Sequence, residues 1–323
     1  FDISTNLDAN LQNFELKTIR KRISTGAKFI PKQQWQFSVD FSHENKTGVE
    51  AIGGAIANGS VMLVGNTTTS ILPEPVDYGT SLVNATLHYD GDDGQLDLTY
   101  HMSNFNNDND FLTWQDPFNP SSASGSISLA PDNEFHRLSL TGGYTLPYRS
   151  RLTGLLSLGR MTQNQDFLPY TVNSALVTPL QPRSSLEGEV WLGTAQLKLA
   201  SRPTTRLRLN AEVSYNERDN QTPVDTFNYV VLDSFGGGSV QNRPYSYWNN
   251  HIKLDANYRF NSYSSLRGGY KFDEMKRKYT NAEREKTEEG TVFAKWKVKP
   301  HNTVDVALYG EAGSRDGSEY NPV

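Results

Sequence analysis

Trp191-Leu-Gly-Thr-Ala-Gln-Leu-Lys-Leu-Ala200, then Ser201-Arg-Pro-Thr-Thr205, then Arg206-Leu-Arg-Leu-Asn-Ala-Glu-Val-Ser-Tyr-Asn216 is the stretch that decides the fold. In its second arm Leu207, Leu209, Ala211, Val213 and Tyr215 alternate with Arg206, Arg208, Asn210, Glu212 and Ser214. Successive side chains of a strand point to opposite faces, so one face of this arm is apolar and the other carries charge. The first arm repeats the pattern, with Trp191, Gly193, Ala195, Leu197 and Leu199 against Thr194, Gln196 and Lys198. The connection around Arg202-Pro203 is too short for anything but a hairpin.

Working outward, the same unit recurs. Trp35, Phe37, Val39 and Phe41 form an apolar face, preceded by a strand over 16–29 whose faces are blurred by Arg20, Lys21 and Arg22. Strands over 81–89 and 95–103 flank Asp90-Gly-Asp-Asp-Gly94, a strong turn signal. Leu138, Leu140, Gly142, Tyr144 and Leu146 are answered after a turn by Leu152, Gly154, Leu156 and Leu158. Ile252, Leu254, Ala256, Tyr258 and Phe260 are answered by Leu266, Gly268, Tyr270 and Phe272. Val292, Ala294, Trp296 and Val298 are answered by Val304, Val306, Leu308 and Gly310. The spans 44–80, 104–134, 161–188, 217–248 and 274–290 read as long loops, and 1–13 as an N-terminal loop or arm.

The pattern predicts an all-β chain of about twelve strands, each with a core of about 9 to 11 residues, the length at which a tilted strand crosses a bilayer. Short turns at one end, long loops at the other and one apolar face are the marks of an outer-membrane antiparallel β-barrel. Aromatic residues gather at two levels. Trp35, Tyr89, Tyr144, Tyr258 and Phe260 lie beside short turns, and Phe41, Tyr100, Trp191, Tyr215, Tyr270 and Phe272 beside long loops. A soluble propeller or sandwich explains single strands equally well. It leaves unexplained the strict alternation of loop length and the charge on the second face, where Arg206, Arg208, Lys253, Asp255, Lys295 and Lys297 fall. We therefore read 1–323 as a single β-barrel domain, with further strands needed to complete it, since 313–323 is a polar stretch where a barrel usually finishes on a membrane strand.

Composition agrees and excludes several functions. Apolar residues make up only 36% of the 323 residues, too few to supply a compact soluble core, yet aromatics reach 11%, which argues against disorder. Cysteine is absent, removing disulfides, thiol nucleophiles, thiolate metal sites and any Cys-x-x-Cys-His attachment of c-type haem. The net charge of −5 is too mild to argue for or against a partner, although a nucleic-acid binder is usually basic. The six histidines (His43, His88, His101, His136, His251 and His301) are scattered, and no nucleophile elbow or phosphate loop occurs. Asn106-Asn-Asp-Asn-Asp110 spaces oxygen ligands as a calcium loop does but lacks that loop's glycine and distal glutamate, so we read it as a solvated loop. Glu283-Arg-Glu-Lys286 with Glu288-Glu289 suits a short helix or a salt-bridged strand extension, but its default reading is a solvated loop flank. Nothing argues for catalysis.

Several loop segments are more specific than the strands. Phe41-Ser-His-Glu-Asn-Lys-Thr-Gly48 leads to Ile52-Gly-Gly-Ala55; Leu72-Pro-Glu-Pro-Val-Asp-Tyr78 opens a strand. Asn107-Asp-Asn-Asp-Phe-Leu-Thr-Trp-Gln115 precedes Leu129-Ala-Pro-Asp-Asn-Glu-Phe-His136, and Gly159-Arg-Met-Thr-Gln-Asn164 runs on to Phe167-Leu-Pro-Tyr170. In this order they resemble the decahaem-associated outer-membrane proteins, the MtrB/PioB family, from about Trp35 onward. The resemblance implies a large barrel in the bacterial outer membrane that sheathes a periplasmic multihaem cytochrome and lets electrons cross. It implies haem c carried by that partner and none by this chain, with a second multihaem cytochrome of the outer surface at the long loops. Members of the family are longer and have more strands than this chain, and the Cys-x-x-Cys segment that opens some of them is missing here.

On this reading the polar face lines the lumen. Near the short-turn end it carries Arg151, Lys198, Arg206, Arg208, Arg259, Arg267, Lys297 and Lys299, answered at similar depth by Asp97 and Asp305 alone. We expect these eight cations to bind the partner. The competing reading is a substrate-selective porin or receptor whose lumen holds water or a plug.

Overall fold

The computed structural model describes residues 13–56, 68–115, 124–228, 238–279 and 282–321. Its long strands are β1 (Lys17–Lys32), β2 (Trp35–Ile56), β3 (Thr68–Asp90), β4 (Gly94–Asn107), β7 (Asn133–Leu146), β8 (Ser150–Gln163), β9 (Gly188–Ser201), β10 (Leu207–Asn220), β13 (Ser246–Arg259), β14 (Ser264–Lys278), β15 (Lys286–His301) and β16 (Val304–Gly317). These twelve form one antiparallel sheet in that order, each hydrogen-bonded to its neighbours. Two small hairpins, β5 (Phe111–Gln115) with β6 (Ser124–Ser128) and β11 (Thr226–Asn228) with β12 (Ser239–Gln241), lie within long connections.

The sheet is a single layer, and this settles which solvent it lives in. A water-soluble domain buries the apolar face of a sheet against a second layer. Among the described residues the buried apolar side chains are Val76, Leu129, Val190 and Ala282, all toward the long-loop end. The alternating leucines and aromatics are open instead: Leu158 is 66% exposed, Leu197 52% and Leu308 62%. Cross-strand register carries the same face from strand to strand. Leu209 lies opposite Ala256, Ala211 opposite Leu199 and Leu254, and Val213 opposite Leu197 and Ile252. A face this wide and apolar, covered by nothing in the chain, belongs against lipid.

Register also reveals tilt. Starting from Trp35 at the short-turn end of β2, successive partners are Tyr89, Leu96, Gly142, Gly154, Leu197, Val213, Ile252 and Phe272. Phe272 lies far up β14 from its own short turn at Ser264. A steady stagger of this kind is the shear that a sheet needs to curl into a barrel with inclined strands. The aromatic levels survive it. Trp35 packs on Tyr89 with ring centroids 4.8 Å apart, and Tyr258 on Phe260 at 5.1 Å. Indole N–H groups find partners at the edges of the apolar band: Trp296 donates to Ser264 Oγ (2.9 Å) and Trp191 to Glu189 (2.9 Å), with Arg160 over the Trp191 ring. Such polar tips suit the membrane–water boundary.

The loop assignments need correction. Residues 44–56 and 68–80, read as loop, continue β2 and β3 as a paired ribbon from Trp35–Tyr89 out to Ile56–Thr68. Beyond the bilayer both faces of a ribbon meet water or loops, so pairing no longer requires alternation of apolar and polar residues. Pro73 and Pro75 fit there because β4 ends opposite Tyr78, leaving that stretch of β3 an edge where a missing N–H is tolerated. The 104–134 span contains β5 and β6, which fold onto the ribbon, and a methyl group on Gly125 would fall on the Trp114 ring. The 217–248 span contains β11 and β12, and the 274–290 span is largely strand. Lys286 there bridges Glu274 (3.3 Å) and Glu288, making the acidic run a salt-bridged extension of the β14–β15 ladder. The stretch Asn106–Asp110, spaced like a calcium loop, is a knot of hydrogen bonds: Asn107 N–H donates to Asp132 (2.8 Å) and Asn109 N–H to Asn107 Oδ1 (3.1 Å). The arm read over 1–13 falls, save Asn13, outside the described residues, as do parts of four loops.

Candidate partner-binding face

The alternation that turns Leu209, Ala211 and Val213 outward turns Arg208, Asn210 and Glu212 inward, and the ladder then assembles a grid. Arg208 is opposite Asn257, Asn257 opposite Arg267, and Arg267 opposite Lys295. One pair nearer the short turns, Arg259 is opposite Ser265 and Ser265 opposite Lys297. Arg206 sits just before β10, where its carbonyl accepts the Arg259 N–H (2.8 Å). A cavity of about 310 Å³ is lined by Arg206, Arg208, Arg259, Arg267, Lys295 and Lys297, with Asn257 and Ser265 between them. An adjoining cavity of about 520 Å³ shares Arg259, Lys295 and Lys297 and adds Lys299 and Asp305. A third, of about 430 Å³, shares Arg267 and adds Arg151, Lys198, Lys253, Asp255 and Glu212. The structure thus places all eight cations expected from sequence on three connected concavities, and adds Lys295 and Lys253.

The carboxylates that answer them are not those expected. Asp97 is taken by His88 on the neighbouring strand (2.6 Å), while Asp305 does meet Lys299 (3.2 Å). Asp255, its side chain only 2% exposed, accepts two hydrogen bonds from Arg267 (3.1 and 3.0 Å) and one from Asn210 (2.9 Å). Glu212 accepts from Lys198 (3.2 Å) and Gln196 (3.0 Å). Both pairs lie within single hairpins, Glu212 directly opposite Lys198 and Asp255 one diagonal step from Arg267, so it is the register between paired strands that decides them. Arg151, Arg206, Arg208, Arg259, Lys295 and Lys297 are left without a carboxylate within ion-pair distance among the described residues.

Like charges even face one another directly. Lys253 is opposite Lys271, and Arg267 opposite Lys295. Such pairs destabilise a sheet. Phe293 relieves part of the strain, with Lys271 Nζ 5.1 Å and the Arg267 guanidinium 6.0 Å from its ring centroid. Guanidinium and ammonium groups held in this way are donors without acceptors, suited to carboxylates and phosphates and useless as proton-transfer groups near neutral pH. The lumen histidines are spoken for: His88 by Asp97, His101 by Asn84 (2.7 Å) and His251 by Asp273 (2.7 Å). Among the described residues no three metal-ligating side chains cluster.

Arg267 is the floor of the grid and Asp255 holds it there. Replacing Asp255 by alanine strands Arg267 and Asn210, and we expect a loss of about 1–3 kcal/mol, read as a lower unfolding midpoint in detergent. Asp255→Asn, which keeps hydrogen bonds to both, is expected to recover part of it.

The sequence matches the model of the outer membrane beta-barrel porin family MtrB/PioB over residues 2–323. It is 34% identical over 318 residues to the outer membrane protein MtrB of Shewanella baltica (strain OS185), covering 96% of this chain and 43% of that protein. The chain therefore spans less than half the length of this relative. Solved structures overlay loosely. A loop-deleted form of OmpT, an outer membrane protein of Vibrio cholerae, gives a TM-score of 0.31 at 10% identity, over 94% of both chains. The Pseudomonas putida toluene transporter TodX gives 0.24 at 10% identity, over 92% of this chain and 86% of that one. Overlays this loose carry no argument about function.

Proposed function

The chain belongs to the MtrB/PioB family of outer-membrane β-barrel porins, and from that premise we propose that it is wall of a barrel that sheathes and positions a multihaem c-type cytochrome. The family is one of porin-like barrels of the outer membrane, not of enzymes. The observation that carries the finer reading is the lumen grid: six cations with no carboxylate of their own, arranged on a concave wall. An acidic protein surface, or the propionates of its haems, supplies the missing charge, and exclusion of water strengthens each pair. In this reading Arg151, Lys198, Arg206, Arg208, Arg259, Arg267, Lys297 and Lys299 form the seat, and the long loops receive an outer-surface multihaem cytochrome.

The wall itself has no part in conduction. This stretch of wall contains no cysteine to attach a haem, and electrons pass between haems held close together within the partner. The sleeve orients that partner and keeps lipid from it. Purification of the full-length protein in mild detergent tests this: a haem-staining protein is expected to co-elute. A barrel that elutes alone and conducts small anions across a planar bilayer supports the porin reading instead.

The sheet's two edges extend the proposal. Strand β1 pairs with β2 and β16 with β15, and the two do not pair with each other. Open edges are not tolerated in hydrocarbon, where nothing else bonds their N–H and C=O groups. We propose that further strands of a longer chain cover both. Cysteine pairs scanned between β1 (Ile23, Thr25, Ala27) and β16 (Val306, Leu308, Gly310) in the full-length protein are then expected to form no disulfide; efficient cross-linking would show a closed twelve-stranded barrel.

A further inference from the structure

The lumen wall is not uniform around its circumference. Across β2, β3, β4, β7, β8 and β9 the ladder aligns Ser38, Thr86, Thr99, Ser139, Ser157 and Thr194 in one unbroken row of hydroxyls. Four of the six hydroxyls bond in pairs: Thr86 with Thr99 (3.2 Å) and Ser139 with Ser157 (2.9 Å). The carboxylates nearest this belt are Asp40 and Asp97, the latter bonded to His88. On the other side, over β10 to β15, lies the cation grid with its two directly opposed like-charge pairs. The hydroxyl row is itself uncharged and its sector carries only scattered cations, Lys28 opposite Ser38, Arg137 on β7, Arg151 on β8 and Lys198 on β9; the β10–β15 sector is crowded and more densely basic, with Arg206, Arg208, Arg259, Lys295 and Lys297 in one cavity.

We infer that this polarity sets the rotational orientation of the lumen's occupant, a protein that turns a carboxylate-rich face toward β10–β15 and a less charged face toward the hydroxyl belt. The inference rests on the sheath reading. Two features of the grid require an occupant of this kind. First, Arg206, Arg208, Arg259, Lys295 and Lys297 line one cavity with no carboxylate at ion-pair distance among the described residues, so they repel one another in an empty lumen and are answered only when an anionic surface lies across several of them at once; a single small anion answers at most two or three. Second, the cations of the belt sector (Lys28, Arg137 and Arg151) are spread over separate strands and do not share one cavity, so the wrong rotation loses the dense basic contacts and gains Asp40 and Asp97 as repulsive neighbours. Specificity arises from both the attractive sector and the one that refuses the acidic face.

The chain's lack of cysteine makes the test clean. Single variants Asn257→Cys and Ser265→Cys place a thiol inside the grid without removing a cation. Ser38→Cys and Thr141→Cys place one in the opposite sector. Each is made in the full-length protein, purified with its partner, labelled with a maleimide photocross-linker and irradiated; heat-dependent migration on a gel confirms folding of each barrel. The grid positions are expected to attach several-fold more strongly to peptides rich in Asp and Glu, and the belt positions to peptides poor in them. Equal attachment of both sectors to acidic peptides, or a preference of the belt for them, overturns the inference and leaves the sheath intact. Failure of any partner to accompany the unsubstituted barrel overturns the sheath reading itself. If one grid variant does not fold, the other still discriminates, since both line the same cavity.

Discussion

Changing Arg206, Arg208 and Lys297 together to glutamate is expected to release the lumen partner while leaving the barrel folded. Three attractive contacts become three repulsive ones in a place shielded from bulk water, and like-charge juxtaposition at an interface costs several kcal/mol. At about 1.4 kcal/mol per tenfold, the affinity should fall by at least about a hundredfold. Folding is spared because none of the three has a carboxylate partner among the described residues and all three line an open cavity; exposed changes of this kind usually stay within about 0.5 kcal/mol. The readouts are haem absorbance co-eluting with the barrel, and reduction of a redox dye enclosed in vesicles that carry the complex. The matched triple change to glutamine removes attraction without adding repulsion and should fall between. Unaltered co-elution of the glutamate variant would remove these cations from the seat. Dye reduction by vesicles holding the barrel without any haem protein would sink the sleeve altogether.

The second large effect separates the two faces of one strand. Ala211 lies midway along the apolar band of β10, between Leu199 and Leu254. Arginine there meets hydrocarbon and is expected to cost about 2–4 kcal/mol. Ser214, three residues on, faces the lumen between Gln196 and His251, and arginine there stays in a polar setting. We expect Ser214→Arg to shift stability by no more than about 0.5 kcal/mol. Unfolding of both variants by guanidinium in lipid vesicles gives the comparison. Equal costs at the two positions would mean that Ala211 does not face lipid.

These predictions draw on different kinds of information. The face to which Ala211 belongs was legible in Leu207-Arg-Leu-Asn-Ala-Glu-Val213, because alternation is a consequence of local backbone geometry and needs no knowledge of any other strand. The same holds for the six hairpins and for the cations on the inner face. Where both sides of a strand meet water, as in 44–56 and 68–80, the backbone pairs without leaving a pattern in the side chains, and the ribbon passed for a loop. The charged pairs were hidden for a different reason. Asp255 meets Arg267 one diagonal step across the β13–β14 hairpin and Glu212 meets Lys198 directly across the β9–β10 hairpin, and which residues meet is set by the register between two strands, not by either strand alone. The sequence by itself determined which residues face lipid and which face the lumen. Only the tertiary structure decided which lumen charges are answered and which wait for a partner, since an ion pair depends on distances across the ladder that no single strand contains.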